Sequence, residues 1–291
     1  MDLFSTTIIL FIAILTMTTA HPTNLTSILI PLYIYPTPGA WDPLYSIITA
    51  YPTQPFTVIV NPDSGPGPKR FPDDSYIDGV VKLKVFKNVR VIGYVHASYT
   101  ARKLEDVCKD VDTYTGWDRY PRSDISVDGI FVDEAPDNVG KDGRNLNYMK
   151  SVRSRILENF NGIGKSGFTM TNPGVIVDKR FYESSITDAV VSFEDTLKNY
   201  YAPGKLEVSK DMTKSPGTPS EMQAIIVTSV DGSPARERYI LNKLVERGIG
   251  FVYFTTDPDY QKFGTDLAIF VDQVARSNGL VEGKVKVGSG L

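Results

Sequence analysis

The amino-acid sequence predicts an α/β fold, a single-domain (β/α)₈ TIM barrel, on three observations. Eight short runs rich in β-branched and aromatic residues alternate with segments of helical period or loop chemistry. Most of these runs are continuously hydrophobic, as expected of parallel strands that are covered on both faces. The sequence carries no G-x-G-x-x-G or P-loop motif, which a doubly wound nucleotide-binding sheet usually has. Eight strand-helix units in about 250 residues match the barrel.

The individual elements follow the chain at regular intervals. The clearest helix is predicted after Ser233, with Pro234 in its first turn and Gly248 at its end. Apolar stripes within residues 149–156 and 267–274 predict two more helices. The eight predicted strands are 28–35, 56–61, 89–96, 129–133, 168–172, 189–194, 224–228 and 251–255.

Composition limits the possible partners. The 291 residues include 42% hydrophobic residues, enough for one large core, and the net charge is −3. The basic residues are scattered and form no patch for nucleic acid or an anionic membrane. The sequence has neither a histidine or cysteine cluster at metal-ligand spacing nor a cofactor motif. We therefore expect no nucleic-acid partner, no metal and no cofactor, and we expect a monomer.

The N-terminal twenty residues differ in kind from the rest. Residues 6–18 are uncharged and largely apolar, and small residues follow up to Ala20. This pattern predicts a secretory signal peptide over residues 1–20. The alternative is an uncleaved anchor, although a membrane span needs about 20 apolar residues.

Cleavage after Ala20 divides the chain into a lead-in at residues 21–26, a catalytic barrel at 27–280 and a C-terminal tail at 281–291. The mature protein is then expected outside the cell or in the cell wall, without stable membrane association. Asn24 begins the sequon Asn-Leu-Thr and is a candidate N-glycosylation site.

Acidic residues are concentrated where the predicted strands end. The active site of such a barrel lies at the C-terminal ends of its strands. Strand 129–133 ends in Asp133 and is followed by Glu134, and strand 189–194 ends in Glu194. Neighbouring unpaired acids repel one another and are costly to desolvate, so a purely structural barrel would not collect them on one rim. They are candidate catalytic residues; the structural alternative is that they cap helices or pair with basic residues.

Two carboxyl groups suit the cleavage of a glycosidic bond. One is protonated and gives its proton to the leaving oxygen, while the other is ionised and attacks the anomeric carbon or activates water. We assign Asp133 as the ionised nucleophile or base and Glu194 as the proton donor, with Glu134 competing for either role. Because strand residues alternate between faces, an inward Glu194 predicts an inward Ser192 and an outward Val191.

Polar and aromatic residues near the other strand ends are candidate substrate-binding groups, because the apolar faces of sugars rest on aromatic rings. Trp41, in a proline- and glycine-rich loop, is predicted to be an exposed platform. Any of these rings also fits a core position. The candidates are Tyr35, Trp41, Asn61, Tyr94, His96, Tyr99, Asn172, Tyr253 and Asp257.

Several stretches, read together and in order between Leu32 and Asp257, resemble the spherulin 4 family of secreted proteins. They are Tyr35-Pro36 with Gly39-Ala40-Trp41 and Pro43-Leu44-Tyr45, Ile59-Val60-Asn61-Pro62 with Ser64-Gly65-Pro66-Gly67, Gly93-Tyr94-Val95, Tyr99, Asp128-Gly129-Ile130-Phe131 with Asp133-Glu134, and Ser192-Phe193-Glu194. The run from His96 to Thr100 departs from the family segment, which usually has a threonine and a Tyr-Gly there.

The resemblance implies a (β/α)₈ glycoside hydrolase that cuts α-1,4-linked N-acetylgalactosamine stretches of galactosaminogalactan, a fungal exopolysaccharide. It implies that Asp133, Glu134 and Glu194 are the family's acids and that a polysaccharide is the partner. We expect endo attack on such a galactosamine-containing chain. The alternative is a catalytically silent secreted protein that binds glycan in a cell wall or spore coat.

Overall fold

Eight parallel strands close into a barrel. A computed structural model describes residues 25–202 and 218–281. Each strand pairs in parallel with the next along the chain, and the eighth pairs with the first. The predicted barrel is therefore confirmed. The strands are Ser27–Leu32 (β1), Phe56–Val60 (β2), Val89–His96 (β3), Gly129–Asp133 (β4), Phe168–Asn172 (β5), Ala189–Thr196 (β6), Gln223–Thr228 (β7) and Phe251–Phe254 (β8).

Helices connect the strands and cover the outside of the barrel. Within the described residues they are Asp42–Ala50 (α1), Asp74–Lys84 (α2), Leu104–Gly116 (α3), Arg144–Asn161 (α4), Arg180–Glu183 (α5), Leu197–Tyr200 (α6), Pro234–Glu246 (α7) and Leu267–Ser277 (α8). Helix α7 begins after Ser233, with Pro234 in its first turn, as the sequence predicts. Gly248 follows its end in a left-handed conformation (φ 72°), which glycine adopts without a steric penalty.

The core fills both the barrel interior and the layer between strands and helices. Every residue of β1, β2, β7 and β8 is buried. The predicted apolar stripes of α4 and α8 are buried as well, including Val152 and Val271. Full burial of such a side chain is worth about 1.5–3 kcal/mol. With a single cysteine in the sequence, no intrachain disulfide is possible, and this apolar burial is the main source of stability.

Helix α3 lies unusually close to strand β3. A Cβ atom at Gly93 would lie 2.6 Å from the Tyr114 ring, so this position accepts no side chain without a shift. The Tyr114 hydroxyl donates to the Val60 carbonyl of β2, 3.1 Å away. A glycine on the outer face of β3 thus lets one aromatic residue join α3 to two strands.

The predicted side-chain alternation of β6 is wrong at Ser192. The pairing register between β6 and β7 shifts between Val191 and Phe193, so Ser192 is an extra, bulged residue. Val191 pairs with Ala224 and Glu194 with Ile226, which lie two residues apart on one face of β7. Val191, not Ser192, therefore shares the face of Glu194. The bulge allows Glu194 to reach the mouth of the barrel.

Some predictions concern residues outside the described part of the chain. These are the signal peptide over 1–20, its cleavage after Ala20, the candidate glycosylation site Asn24, and all of the tail except residue 281. No helix in the ranges 25–202 and 218–281 is long and apolar enough to cross a membrane.

Candidate active site

The ends of three neighbouring strands bring polar residues into one row. His96 of β3 pairs with Asp133 of β4, which pairs with Asn172 of β5. Paired residues of neighbouring parallel strands point to the same side of the sheet. Asp133 consequently lies between an imidazole and an amide at the C-terminal rim, where barrel enzymes hold their catalytic groups.

The Asn172 side chain joins the two best-placed acids. Its Nδ2 donates to Asp133 Oδ1 at 2.8 Å and to Glu194 Oε2 at 2.6 Å. The two accepting oxygens can be no farther apart than these two bonds end to end, about 5.4 Å. The structure thus brings Asp133 and Glu194 together. Along the chain 60 residues lie between them, and around the barrel one strand, β5, lies between their strands.

A tyrosine hydroxyl holds the second oxygen of each acid. Tyr94 donates to Asp133 Oδ2 and Tyr260 donates to Glu194 Oε1, both at 2.6 Å. Burial raises the pKa of each phenol, and the neighbouring carboxylate raises it further. Both tyrosines therefore remain neutral hydrogen-bond donors across the physiological pH range.

Three tyrosine rings form a row across the barrel mouth, and the buried ring of Tyr253 continues the row into the core. Tyr33 makes edge-to-face contacts with Tyr94 (5.6 Å) and with Tyr260 (5.7 Å), and Tyr260 lies 6.3 Å from Tyr253. Tyr94 also contacts Phe131 of β4 at 6.0 Å. Such ring pairs contribute about 0.5–1.5 kcal/mol each beyond their burial, and here they fix the two hydroxyls that hold the acids.

The environment raises the pKa of both acids. For Asp133 the main cause is burial, and the nearby charge of Glu134 adds to it, whereas hydrogen bonds from Tyr94 and Asn172 oppose it. Burial is also the main cause for Glu194, and the Asp133 charge adds to it. Because their pKa values are raised, these two acids hold a proton more readily than fully exposed acids do. General acid catalysis requires such a proton-holding group.

Glu134 lies beside the pair but is held differently. Its backbone is left-handed (φ 48°), and its carbonyl accepts from the Tyr99 N–H at 2.7 Å. Ser98, Tyr99 and Thr100 are left-handed too, so backbone strain is concentrated next to the acids. Among the described residues no hydrogen-bond partner is found for the Glu134 carboxylate, which is half-buried.

Three of the predicted binding residues at or after strand ends keep accessible groups. His96 Nδ1 donates to the Ser64 carbonyl at 3.1 Å, which leaves Nε2 for other partners. Tyr99 is 63% exposed and Tyr35 is 49% exposed, with its hydroxyl on Asp73. These are the accessible rings of the rim.

Asn61 and Asp257, by contrast, hold loops. The side-chain oxygen of Asn61 accepts from the Gly65 N–H at 3.0 Å. Asp257 is buried, and its carboxylate accepts from the Gln261 N–H at 3.0 Å, which closes the turn that carries Tyr260. Asp257 therefore offers no exposed surface to a sugar, and it acts on the site through Tyr260.

The prediction of an exposed platform at Trp41 is wrong. Its side chain is only 2% exposed, and Nε1 donates to the Ile34 carbonyl at 2.9 Å. The ring packs against Gly79 of α2, where a Cβ atom would lie 2.5 Å from it. Tyr253 is likewise 3% exposed and packs on Phe270. Both rings are core residues beneath the rim.

Two site residues were not among the sequence candidates for binding or catalysis. Tyr33 lies just beyond β1, and Tyr260 lies six residues after β8, in Asp257-Pro258-Asp259-Tyr260. Tyr33 carries a detectable signal, since it follows a strand end. Tyr260 carries none, because only the folded loop brings its hydroxyl across to Glu194.

The opposite, N-terminal end of the barrel contains a cavity of about 920 Å³. Arg90 lies in it, with its guanidinium 4.2 Å from the centre of the Phe168 ring. Asp128 and Asp188 also line it, but they pair with Lys84, Lys165 and Arg153. The Asp133–Glu194 pair lies at the opposite, C-terminal end of the barrel. We place the candidate active site there because of these two acids, although the cavity is at the N-terminal end.

Within residues 25–202 and 218–281, no group of three or more histidine, cysteine or acidic side chains is arranged to hold a metal ion. The polar groups of the site are carboxyl, phenol, amide and imidazole groups.

Comparison with known proteins identifies the family. The family model of spherulation-specific family 4 matches residues 27–274, which include all eight strands. The chain belongs to this family. It is 33% identical over 248 residues to Spherulin-4 of Physarum polycephalum, a match that covers 83% of this chain and 65% of Spherulin-4. The chain thus spans about 65% of the length of that relative.

Solved structures with a similar fold include a more and a less closely related protein. Sph3 of Aspergillus clavatus, crystallised in complex with GalNAc, is 31% identical with a TM-score of 0.77, over 87% of this chain and 98% of Sph3. A GH5 cellulase from a Bacteroidetes-affiliated source matches with a TM-score of 0.55 at 10% identity, over 90% of this chain and 92% of the cellulase. The second likeness shows the barrel fold alone.

Proposed function

We propose that this protein is a secreted glycoside hydrolase that cuts inside α-1,4-linked N-acetylgalactosamine or galactosamine chains of a galactosaminogalactan-like polysaccharide. The observation that carries the proposal is the carboxyl pair at the barrel mouth. Asp133 and Glu194 are half-buried, have raised pKa values and share one amide nitrogen. Glycosidic cleavage needs this combination of one acid that holds a proton and one that is ionised.

Each acid accepts hydrogen bonds from two donors, and we propose Asp133 as the ionised nucleophile or base. Glu194 takes the role of proton donor, since its burial and the Asp133 charge both favour its protonated form. Glu134, without a hydrogen-bond partner among the described residues, competes for either role.

The substrate class rests on the family and on Sph3. A GalNAc complex of a protein 31% identical to this chain favours an amino sugar as the ligand here. The exposed rings of Tyr35 and Tyr99 suit the apolar faces of successive sugar residues, and His96 suits a sugar hydroxyl. Exposed rings on an open rim fit a polymer better than a single sugar.

The site requires no cofactor in this proposal, and the protein acts as a monomer outside the cell or in the cell wall. A signal peptide over 1–20 would deliver it there, and Asn24 would then be open to glycosylation. The catalytically silent glycan-binding protein is the competing function, which the following experiment separates from the enzyme.

The test is incubation of the purified protein with a panel of polysaccharides that includes galactosaminogalactan, followed by mass spectrometry of soluble products. We expect galactosamine-containing oligosaccharides of several lengths from galactosaminogalactan and none from glucans. Binding to the polymer without release of oligosaccharides would instead establish the silent glycan-binding protein. Release of monosaccharide alone would contradict endo attack.

A further inference from the structure

The orientation of the Asn172 amide restricts where the acid pair can carry a proton. Its oxygen accepts from the Gly174 N–H at 2.9 Å, so its NH₂ group must face Asp133 and Glu194. An amide NH₂ group donates hydrogen bonds and accepts none. The two oxygens that it holds, Asp133 Oδ1 and Glu194 Oε2, therefore stay unprotonated while these bonds exist.

The remaining two oxygens face hydroxyl groups, which both donate and accept. Glu194 Oε1 faces the Tyr260 hydroxyl, and Asp133 Oδ2 faces that of Tyr94. If Glu194 is protonated, its proton belongs on Oε1, and Tyr260 becomes the acceptor of that bond. The hydroxyl hydrogen of Tyr260 is then free to point at another oxygen.

We propose that Tyr260 relays the proton of Glu194 to the leaving oxygen of the glycosidic bond. The inference rests on the proposed function, and it adds a catalytic residue to that reaction. In one step, Glu194 Oε1 gives its proton to the Tyr260 oxygen, and Tyr260 gives its own hydroxyl proton to the glycosidic oxygen. The bond between that oxygen and the anomeric carbon breaks, its electron pair stays on the oxygen, and Asp133 or the water that it activates bonds to the anomeric carbon. Glu194 ends ionised, Tyr260 ends neutral, and one proton has moved to the leaving group.

The two tyrosines are not equivalent in this respect. Tyr94 lies on strand β3, is 9% exposed and packs on Phe131. Tyr260 lies on the loop after β8 and is only half-buried, so it can meet a substrate that enters from the rim. Tyr33 contacts both rings and holds the row in place. The tyrosine beside the proposed donor is thus the one nearer to solvent.

The loop geometry also supports a defined position for Tyr260. Its backbone is left-handed (φ 57°), a conformation that costs energy for a residue with a side chain. Asp257 closes the turn by accepting from the Gln261 N–H. This strained turn places the Tyr260 hydroxyl on Glu194.

The experiment uses the full protein and its Tyr260→Phe variant on two substrates with the same short α-1,4-linked N-acetylgalactosamine chain. One ends in a further sugar as leaving group, and the other in 2,4-dinitrophenol, which leaves without a proton. We expect Tyr260→Phe to lower kcat/KM, which reports the bond-breaking step, about 100-fold on the sugar substrate and less than about fivefold on the dinitrophenyl substrate. The ratio of the two rates is measured on one sample and does not depend on the folded fraction.

Two further variants complete the comparison. Asp133→Asn should lower both rates alike, because its carboxylate acts on the anomeric carbon and not on the leaving oxygen. Tyr45→Phe removes a phenol hydrogen bond to the Gly79 carbonyl, far from the mouth, and should leave both rates unchanged. If Tyr260→Phe lowers the rates on both substrates equally, Tyr260 has only a structural role and the relay is overturned.

An unchanged rate on the sugar substrate in Tyr260→Phe would also overturn the relay, while cleavage by the wild type and its loss in Asp133→Asn would still support the glycosidase. A wild-type protein that cleaves neither substrate would overturn the proposed function, and the relay with it.

Discussion

At the scale of single residues, three side chains place one donor on each of the four oxygens of the Asp133–Glu194 pair. The Asn172 amide takes the inner oxygen of each acid, and the hydroxyls of Tyr94 and Tyr260 take the outer ones. Hydrogen bonds to an ionised carboxylate are stronger than hydrogen bonds between neutral groups. Replacing one acid by its amide keeps the shape of the side chain and most of this geometry. Amide variants therefore separate proton chemistry from architecture.

Asp133→Asn and Glu194→Gln are each expected to lower the rate of polysaccharide cleavage about 100-fold or more, because each removes one proton-handling carboxyl and keeps its shape. Affinity for the polymer should survive. Asp195→Asn is the control, since Asp195 holds the Thr196 N–H and the Asn199 amide at the start of α6. Retention of more than about a tenth of the activity in both variants would contradict the assignment.

The short spacing of the acids also predicts the stereochemistry of the product. Their nearest oxygens are at most about 5.4 Å apart, which suits the roughly 5–5.5 Å of retaining glycosidases better than the 6.5–9.5 Å of inverting ones. We expect the first-formed product to have the α configuration of the substrate. Proton NMR of the anomeric signals in the first minutes of reaction measures this, and an initial β product would mean that water attacks directly.

At the scale of elements, the close contact between α3 and β3 predicts that a side chain at Gly93 destabilises the fold. Gly93→Ala places a methyl group 2.6 Å from the Tyr114 ring and is expected to cost about 1–3 kcal/mol of unfolding free energy. Gly116→Ala, near the end of the same helix, meets nothing within 4 Å and is expected to be neutral or slightly stabilising. Denaturant unfolding of both variants makes the comparison. Equal stabilities would mean that α3 moves to accommodate the methyl group.

A buried acid in α7, Glu237, predicts how the stability of the fold changes with pH. Glu237 of α7 is 1% exposed, and neither of its carboxylate oxygens has a hydrogen-bond partner among the described residues. Burial together with the charge of Asp266 raises its pKa from 4.5 to about 7. A raised pKa in the folded state favours the protonated form, so this group stabilises the fold below pH 4.5 and that contribution is lost as the pH rises through 7.

Glu237→Gln removes this dependence. We expect the variant to exceed the wild type by on the order of 3 kcal/mol at pH 8, or about 5 °C in Tm, and to lose most of that advantage at pH 5. Melting curves of both proteins at pH 5, 6, 7 and 8 provide the measurement. A difference that stays constant over this range would show that Glu237 is protonated throughout or paired in solution.

At the scale of the whole molecule, secretion is the prediction that the N-terminal sequence makes. The small residues before His21 predict a cleavage site there, and we expect the secreted protein to begin at His21. N-terminal sequencing of protein from the culture medium is the measurement. Secreted material that still begins with Met1 would support the uncleaved anchor.

The sequence by itself determined the barrel and the acids of its rim. Continuous apolar runs and helical periodicity are local signals, and the strand ends of a barrel share one rim, so local patterns suffice to identify Asp133, Glu134 and Glu194 as rim acids. The order of the motifs also pointed to the family that the family model then confirmed.

The tertiary structure decided which of those residues meet. The residues that precede Trp41 have the composition typical of a surface loop. Its ring is nevertheless buried, because it packs against Gly79. A bulge at Ser192 changes the alternation of β6, and a loop after β8 brings Tyr260 to Glu194. Bulges, loop paths and ring burial depend on contacts between residues far apart in sequence, which local periodicity does not encode.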